Sequence, residues 1–395
     1  MKQTISQTIR SSLKAQRFTE SVIREMTRIA NQHQAINLAQ GFPDFPAPMA
    51  LKEAAVQAIR DDINQYAVTW GAPRLRQAIA EFMQTRRGVS INADEQVTVV
   101  CGGTEGMVAA MMGILDPGDE VLIPEPFYEN YGPDGILTGA NPVFVPMGPN
   151  FALDVTALQK AITPKTRAVV INTPHNPTGR VFTAQEMQQL YDMVIEHDLL
   201  LFTDEIYEEI LFTGPHQCPL LAANMAERTI VVSGASKTYS VTGWRIGWVI
   251  TPPALTGGVR RVHDFLTVGA AAPLQEAIAD ALTWGDAYYE KMRAEYMQRR
   301  EVMVNALQQA GFSCSTPEGA YYIMADVSDL QNQNENDTEF AMRLITQAGV
   351  ATVPGSSFYQ NPEDGKHLIR FCYAKQMQTL QEAGRRLLAW RERSI

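Results

Sequence analysis

The 395-residue sequence predicts an α/β fold, with a mainly parallel, seven-stranded sheet flanked by helices and a second, smaller α+β domain. Three observations predict it. Seven short apolar runs, at 97–101, 120–123, 142–145, 168–172, 199–203, 230–233 and 247–251, alternate with longer amphipathic segments. After about residue 285 the alternation stops, and one long helical stretch leads into shorter, mixed elements. The most unusual residue clusters directly follow apolar runs, and open α/β sheets hold ligands beyond the carboxyl ends of their strands.

Each element has its own justification. Residues 47–87 read as helical, with Leu51, Ala54, Ala55, Ala58 and Ile59 on one face. The seven runs are apolar throughout rather than alternating, as strands covered on both faces require, and helical patterns such as 184–196 supply the cover. The stretch 285–310, with its charges and its Met and Ala spacing, suits a long connecting helix. Beyond it, 320–326, 339–347 and 368–374 form the smaller unit. The segment before Ala47 shows no strand partner of its own and is expected to pack with that unit. The chain is too long for one typical core. The expected division is a large domain over 47–284 and a small domain from 1–46 plus 285–395.

Composition narrows the function classes. Hydrophobic residues make up 45% and charged residues 19%, ordinary for a soluble globular protein. No stretch reaches the roughly 18–20 apolar residues of a membrane span. Residues Met1 to Arg10 are polar and lack the apolar core of a signal peptide, so a cytoplasmic location is expected. The net charge is −10 and no dense Lys/Arg run occurs, which argues against nucleic-acid binding. Cys101, Cys218, Cys314 and Cys372 lie far apart, as reduced thiols do. Together with the six histidines they show no metal-ligand spacing, so no metal is expected.

Five clusters carry chemistry, and each also has a bland reading. Lys237 follows an apolar run and the small residues Ser233-Gly234-Ala235-Ser236. Most lysines are solvated surface residues, but small neighbours leave room for a carbonyl compound to approach, and burial makes a lysine amine nucleophilic. Arg245 stands eight residues on, beside Gly243 and Gly247. Asp204 ends another apolar run, where a carboxylate is costly unless paired; it is either a helix cap or the partner of a cationic ring nitrogen. In Asn172-Thr173-Pro174-His175-Asn176-Pro177-Thr178-Gly179, the proline after Asn176 holds its backbone extended, so that a plain turn also aims a side chain. Cys101-Gly102-Gly103-Thr104 precedes an apolar helix, where free N–H groups can cradle a phosphate, although Gly-Gly turns are common. Phe127-Tyr128 follows a run and can stack on a flat ring or simply join the core.

In their order and spacing these clusters, with Asp204-Glu205-Ile206-Tyr207, resemble the class I/II aminotransferases, pyridoxal 5′-phosphate enzymes of fold type I, over essentially the whole chain. The stretch Asn37-Leu38-Ala39-Gln40-Gly41-Phe42-Pro43-Asp44-Phe45 and the later Leu368-Ile369-Arg370-Phe371-Cys372 resemble the branch of kynurenine, glutamine and methionine aminotransferases. The resemblance implies a set of roles. Lys237 forms the Schiff base and later shuttles a proton, and Asp204 pairs with the pyridinium. Tyr207 and Asn176 bond the ring oxygen, and Tyr128 stacks on the ring. Gly103, Thr104, Ser236 and Arg245 hold the phosphate. Tyr66 reaches the phosphate of the neighbouring subunit of a homodimer. Arg370, helped by Gly41 and Asn176, grips the substrate carboxylate. One departure is Gly234, where many relatives have Ser; Ser236 is the expected substitute and Ser233 the less favoured one.

The implied reaction transfers an amino group from an L-amino acid to a 2-oxo acid by a ping-pong mechanism. Aspartate-specific relatives carry an extra arginine after the helix that follows the lysine motif, whereas residues 267–274 here are small and apolar. An aromatic, methionine-like or glutamine-like donor is therefore expected. Two other readings are a cysteine-conjugate β-lyase using the same cofactor, and a cofactor-sensing regulator, for which the segment before Gln40 is too short to be a DNA-binding domain.

Overall fold

The computed structural model describes residues 11–394. Its central sheet contains β1 (Val97–Val100), β2 (Glu120–Glu125), β3 (Asn141–Pro146), β4 (Thr166–Asn172), β5 (Leu200–Asp204), β6 (Thr229–Gly234) and β7 (Gly247–Ile250). The strand order is β1-β7-β6-β5-β4-β2-β3. Only β7 runs antiparallel to its neighbours, so the other six strands end on one edge. All seven expected strands are present, each displaced by at most two residues at either end.

The apolar runs have a physical reason. Val121, Ile123, Val170, Phe202, Ile230 and Val232 pack on one face, against Met107 and Met111 of α4. Leu122, Val169, Ile171 and Leu201 pack on the other, against Leu190 and Val194 of α7. Alternate side chains thus serve opposite faces, and both must be apolar. The helices are α1 (Val22–Gln32), α2 (Met49–Arg60), α3 (Pro73–Arg87), α4 (Gly102–Ile114), α5 (Tyr131–Thr138), α6 (Val155–Ala161), α7 (Ala184–Glu196), α8 (Pro253–Thr267), α9 (Ala272–Leu282), α10 (Asp286–Gln309), α11 (Asp337–Arg343) and α12 (Met377–Ser394). Helix α7 starts at a reciprocal cap: Thr183 accepts from the Glu186 N–H, and Glu186 accepts from the Thr183 N–H.

Two expectations need correction. Residues 47–87 are two helices, broken by the loop 61–72. Asp62 and Gly71 have positive φ there, and Pro73 starts the second helix. The N-terminal segment does have a strand partner: Ile36–Asn37 pairs in parallel with Val350–Ala351. It joins the C-terminal elements, as its lack of a partner among the seven runs suggested. Those elements include a four-stranded sheet, in which β8 (Tyr322–Asp326) pairs antiparallel with β9 (Leu368–Cys372). Among the described residues no helix is long and apolar enough to cross a membrane.

Candidate active site

The carboxyl edge of the sheet faces a cavity of about 780 Å³ that reaches the C-terminal unit. Gly41, Gly103, Thr104, Tyr128, Asn176, Asp204, Tyr207, Ser236, Lys237, Arg245 and Arg370 all line it. These residues come from five strand ends, from the turn before β7 that holds Arg245, from the segment after Asn37 and from β9. A parallel sheet delivers its strand ends to one edge, which is why residues far apart in sequence meet there.

Lys237 sits in a single helical turn, Ala235–Thr238, after β6. Its Nζ donates to the carbonyl of Gly41 at 3.2 Å. Burial lowers its pKa to about 8; the Arg245 and Arg370 charges act in the same direction, against Cys372 and Asp204. Asp204, the last residue of β5, accepts from the Tyr131 hydroxyl at 2.8 Å and from the Ile206 N–H at 3.2 Å. Burial raises its pKa to about 6, and those two hydrogen bonds oppose the rise.

The segment after Asp204 is held rigidly. Glu205 accepts from Thr203 and lies 2.6 Å from His216, and Glu208 accepts from Ser233 at 2.6 Å and from Arg87 at 2.8 Å. Tyr207 lies between these anchors, its hydroxyl 2.9 Å from that of Tyr322. Glu205, Glu208 and His216 converge as metal ligands would, a grouping that sequence spacing did not show. Arg87 and the hydroxyls of Ser233 and Thr203 already donate to carboxylate oxygens there.

Arg370 is fully buried. Its Nη1 donates to Asn176 Oδ1 and its Nη2 to the Ala39 carbonyl, both at 2.8 Å. Its Nε has no partner, so a donor remains for an incoming acceptor. Asn176 is itself aimed: Asn172 Oδ1 accepts its N–H at 2.7 Å, and the Asn172 side chain donates to the Asp204 carbonyl at 2.7 Å.

The turn before α4 approaches β7 closely. A Cβ on Gly247 would stand 2.8 Å from the Gly103 nitrogen, and a Cβ on Gly102, whose φ is +82°, would collide with the Arg245 guanidinium. Glycine at both positions lets Arg245 and the start of α4 meet. The same crowding accounts for Gly234, whose Cβ would lie 2.8 Å from the Gly247 Cα. Ser233 is committed to Glu208, whereas Ser236 lines the cavity.

Tyr66 alone among the expected residues is not brought to the cavity. It is 86% exposed, so it is no buried aromatic of its own subunit. Sequence reasoning missed Tyr131, Tyr322 and Asn172. Tyr131 was findable, one helical turn beyond Tyr128, and the rings of the two meet edge-on at 5.7 Å. Tyr322 was not, because its contact with Tyr207 spans 115 residues.

This donor set fits pyridoxal phosphate: an amine of lowered pKa for its aldehyde, a carboxylate for its ring nitrogen, a helix N-terminus and an arginine for its phosphate. Comparison with known proteins agrees. Residues 33–387 match the family described as aminotransferase class I and II. A probable N-succinyldiaminopimelate aminotransferase of Mycobacterium tuberculosis is 39% identical over 388 residues, 95% of this chain and 97% of the relative. The solved structure of N-succinyldiaminopimelate aminotransferase from that organism superposes with a TM-score of 0.93 at 38% identity, covering 96% of this chain and 100% of its own. The methionine aminotransferase of Escherichia coli is 35% identical, with 93% of this chain and 95% of the relative covered. Human kynurenine–oxoglutarate transaminase 1 is 33% identical over the same shares of the two chains. With matches of this length around a cavity of this chemistry, the chain belongs to the class I and II aminotransferases, enzymes that use pyridoxal 5′-phosphate to move amino groups.

Proposed function

We propose that this aminotransferase takes its amino group from a neutral L-amino acid, aromatic, methionine-like or glutamine-like, and passes it to 2-oxoglutarate or a similar 2-oxo acid. The observation that carries this reading is the placing of Lys237 Nζ, Asp204 and the orphaned Arg370 Nε in one cavity. Pyridoxal phosphate, when bound, supplies the aldehyde for the amino group and a cationic ring that accepts the electron pair released at the substrate α-carbon. The chain's own residues do the rest. Arg370 holds the α-carboxylate, with Asn176 and Gly41 beside it. Lys237 Nζ would take the α-proton and return it on the far side of the amino nitrogen, a general-base role that suits a pKa of about 8. Asp204 keeps the ring nitrogen protonated, Tyr207 and Asn176 bond the ring oxygen, and Tyr128 covers one ring face. Gly103, Thr104, Ser236 and Arg245 hold the phosphate.

The donor class is supported by the small, apolar stretch 267–274 and by the methionine and kynurenine enzymes among the relatives. We further propose a division into residues 47–284 and 1–46 plus 285–395, a homodimer in which Tyr66 completes the neighbouring site, and a cytosolic location, in keeping with four free thiols. A panel of amino acids tests the substrate reading, by following the absorbance of the bound cofactor as each donor converts it to the amine form. Methionine, glutamine and aromatic amino acids should convert it fastest, and fast conversion by aspartate alone would refute the donor class.

A further inference from the structure

Four cationic side chains line the cavity: Lys237, Arg245, Arg370 and Arg24. The reaction as proposed employs the first three. Arg24 lies in the first turn of α1, and Ser21 and Ile23 of that turn also line the cavity. Its guanidinium forms no hydrogen bond or ion pair among the described residues, although Glu105, Glu129, Asp134 and Asp204 line the same cavity. Three of them, Glu105, Asp204 and Glu129, are otherwise engaged. Glu105 meets His263 and accepts from the Cys101 N–H, Asp204 accepts from Tyr131, and Glu129 accepts from the Ser21 hydroxyl at 2.5 Å. Asp134 is buried, with one carboxyl oxygen unpartnered.

The cavity therefore has a deep cation, Arg370, that is fully buried, and a solvent-exposed cation, Arg24, that no described residue pairs. A ligand held at Arg370 by one carboxylate that carries a second carboxylate on its side chain would find a counter-charge in Arg24. From this spare charge we infer that Arg24 is a specificity determinant, receiving the distal carboxylate of a dicarboxylic substrate. The inference deepens, and rests on, the reading of 2-oxoglutarate as acceptor. It also accounts for neutral donors in the same site. An exposed arginine on a long, flexible stem stays in water when the bound side chain has no charge, so it need not be stripped of solvent. One cavity thus admits a neutral donor and favours an acidic acceptor.

The test compares glutarate with pentanoate, which have the same chain length and differ only in the second carboxylate. Binding to the cofactor-loaded enzyme is measured by calorimetry, independently of turnover. The wild type should bind glutarate at least about tenfold more tightly, the worth of one charge-assisted hydrogen bond. Arg24→Gln should lose that preference while binding pentanoate as before, and Arg24→Lys should keep part of it. In turnover, Arg24→Gln should raise KM for 2-oxoglutarate and leave KM for pyruvate unchanged. An undiminished preference for glutarate in Arg24→Gln would overturn the inference. So would an equal loss of both ligands, or no preference in the wild type. The acceptor reading fails separately, if wild-type enzyme converted to its amine form is not returned by 2-oxoglutarate.

Discussion

Lys237 must be neutral to attack an aldehyde, and burial brings its pKa down to about 8. Below that value the neutral fraction falls tenfold per pH unit. Covalent attachment of pyridoxal phosphate to cofactor-free protein should therefore quicken with pH up to about 8 and then level off. Stopped-flow absorbance reads this directly, and a flat profile from pH 6 to 9 would count against Lys237. In the proposed reaction Asp204 has the opposite task of staying charged beside a cationic ring. Asp204→Asn should cut kcat by at least about 10²-fold while changing cofactor affinity far less, by analogy with other deletions of strong electrostatic groups; steady-state kinetics with cofactor titration checks both. Asp134 is a third case, a buried carboxyl whose pKa burial pushes well above its ordinary range, with the Asp204 charge adding to the rise. The folded protein then holds a proton that the unfolded chain has released, so this residue costs stability increasingly as pH rises above the ordinary carboxylate range. Asp134→Asn should accordingly gain in Tm over wild type at pH 7 and lose that gain near pH 4, as differential scanning calorimetry would show.

Strand ends do most of the positioning, and what holds them was only partly legible in sequence. The seven strands were readable because both faces of each are buried, which leaves an apolar run. Most of the cavity-lining residues were readable because they follow such a run, Gly41, Arg245 and Arg370 being the exceptions. The ties between elements were not, since they join residues far apart in the chain. One is the buried ion-pair network behind Tyr207. Arg87, at the end of α3, bonds Glu208 at 2.8 Å and Glu209 at 2.7 Å, and all three side chains are at most 8% exposed. Nothing in the sequence pairs Arg87 with a segment 121 residues away. The crowding at Gly234 was equally hidden, because it depends on how closely β7 lies beside β6. Truncating Arg87 would leave Glu208 with only the Ser233 hydroxyl. Arg87→Ala should then lose about 3–5 kcal/mol of stability, the usual cost of stranding one buried charge. Denaturant titration would measure it, and a loss below about 1 kcal/mol would mean that the network is solvated.

At the scale of the whole molecule, the exposed apolar surface bears on the proposed homodimer. Tyr66 is 86% exposed and Phe265 is 91% exposed, with Ile63, Val68, Leu266 and Val268 also uncovered. These residues belong to one region. The Thr69 carbonyl lies 2.9 Å from His263 Nε2, and the Arg260 guanidinium stacks on Trp70 at 5.0 Å, so the loop 61–72 lies along the end of α8. Exposed apolar surface of this kind would suit the proposed interface, and α8 also packs on α4, whose N-terminus opens into the cavity. A two-fold axis through this region would bring the Tyr66 of each subunit towards the other's cavity. Subunit mixing tests it, once Tyr66→Ala alone has proved clearly impaired. Lys237→Ala and Tyr66→Ala chains are combined and allowed to exchange. In a mixed dimer, one site takes Lys237 from the Tyr66→Ala chain and an intact Tyr66 from its partner, while the other site lacks both groups. Activity should rise above either parent, towards one working site per dimer. If exchange is demonstrated by mass spectrometry and no activity returns, Tyr66 serves its own chain, and the exposed surface around it has some other use.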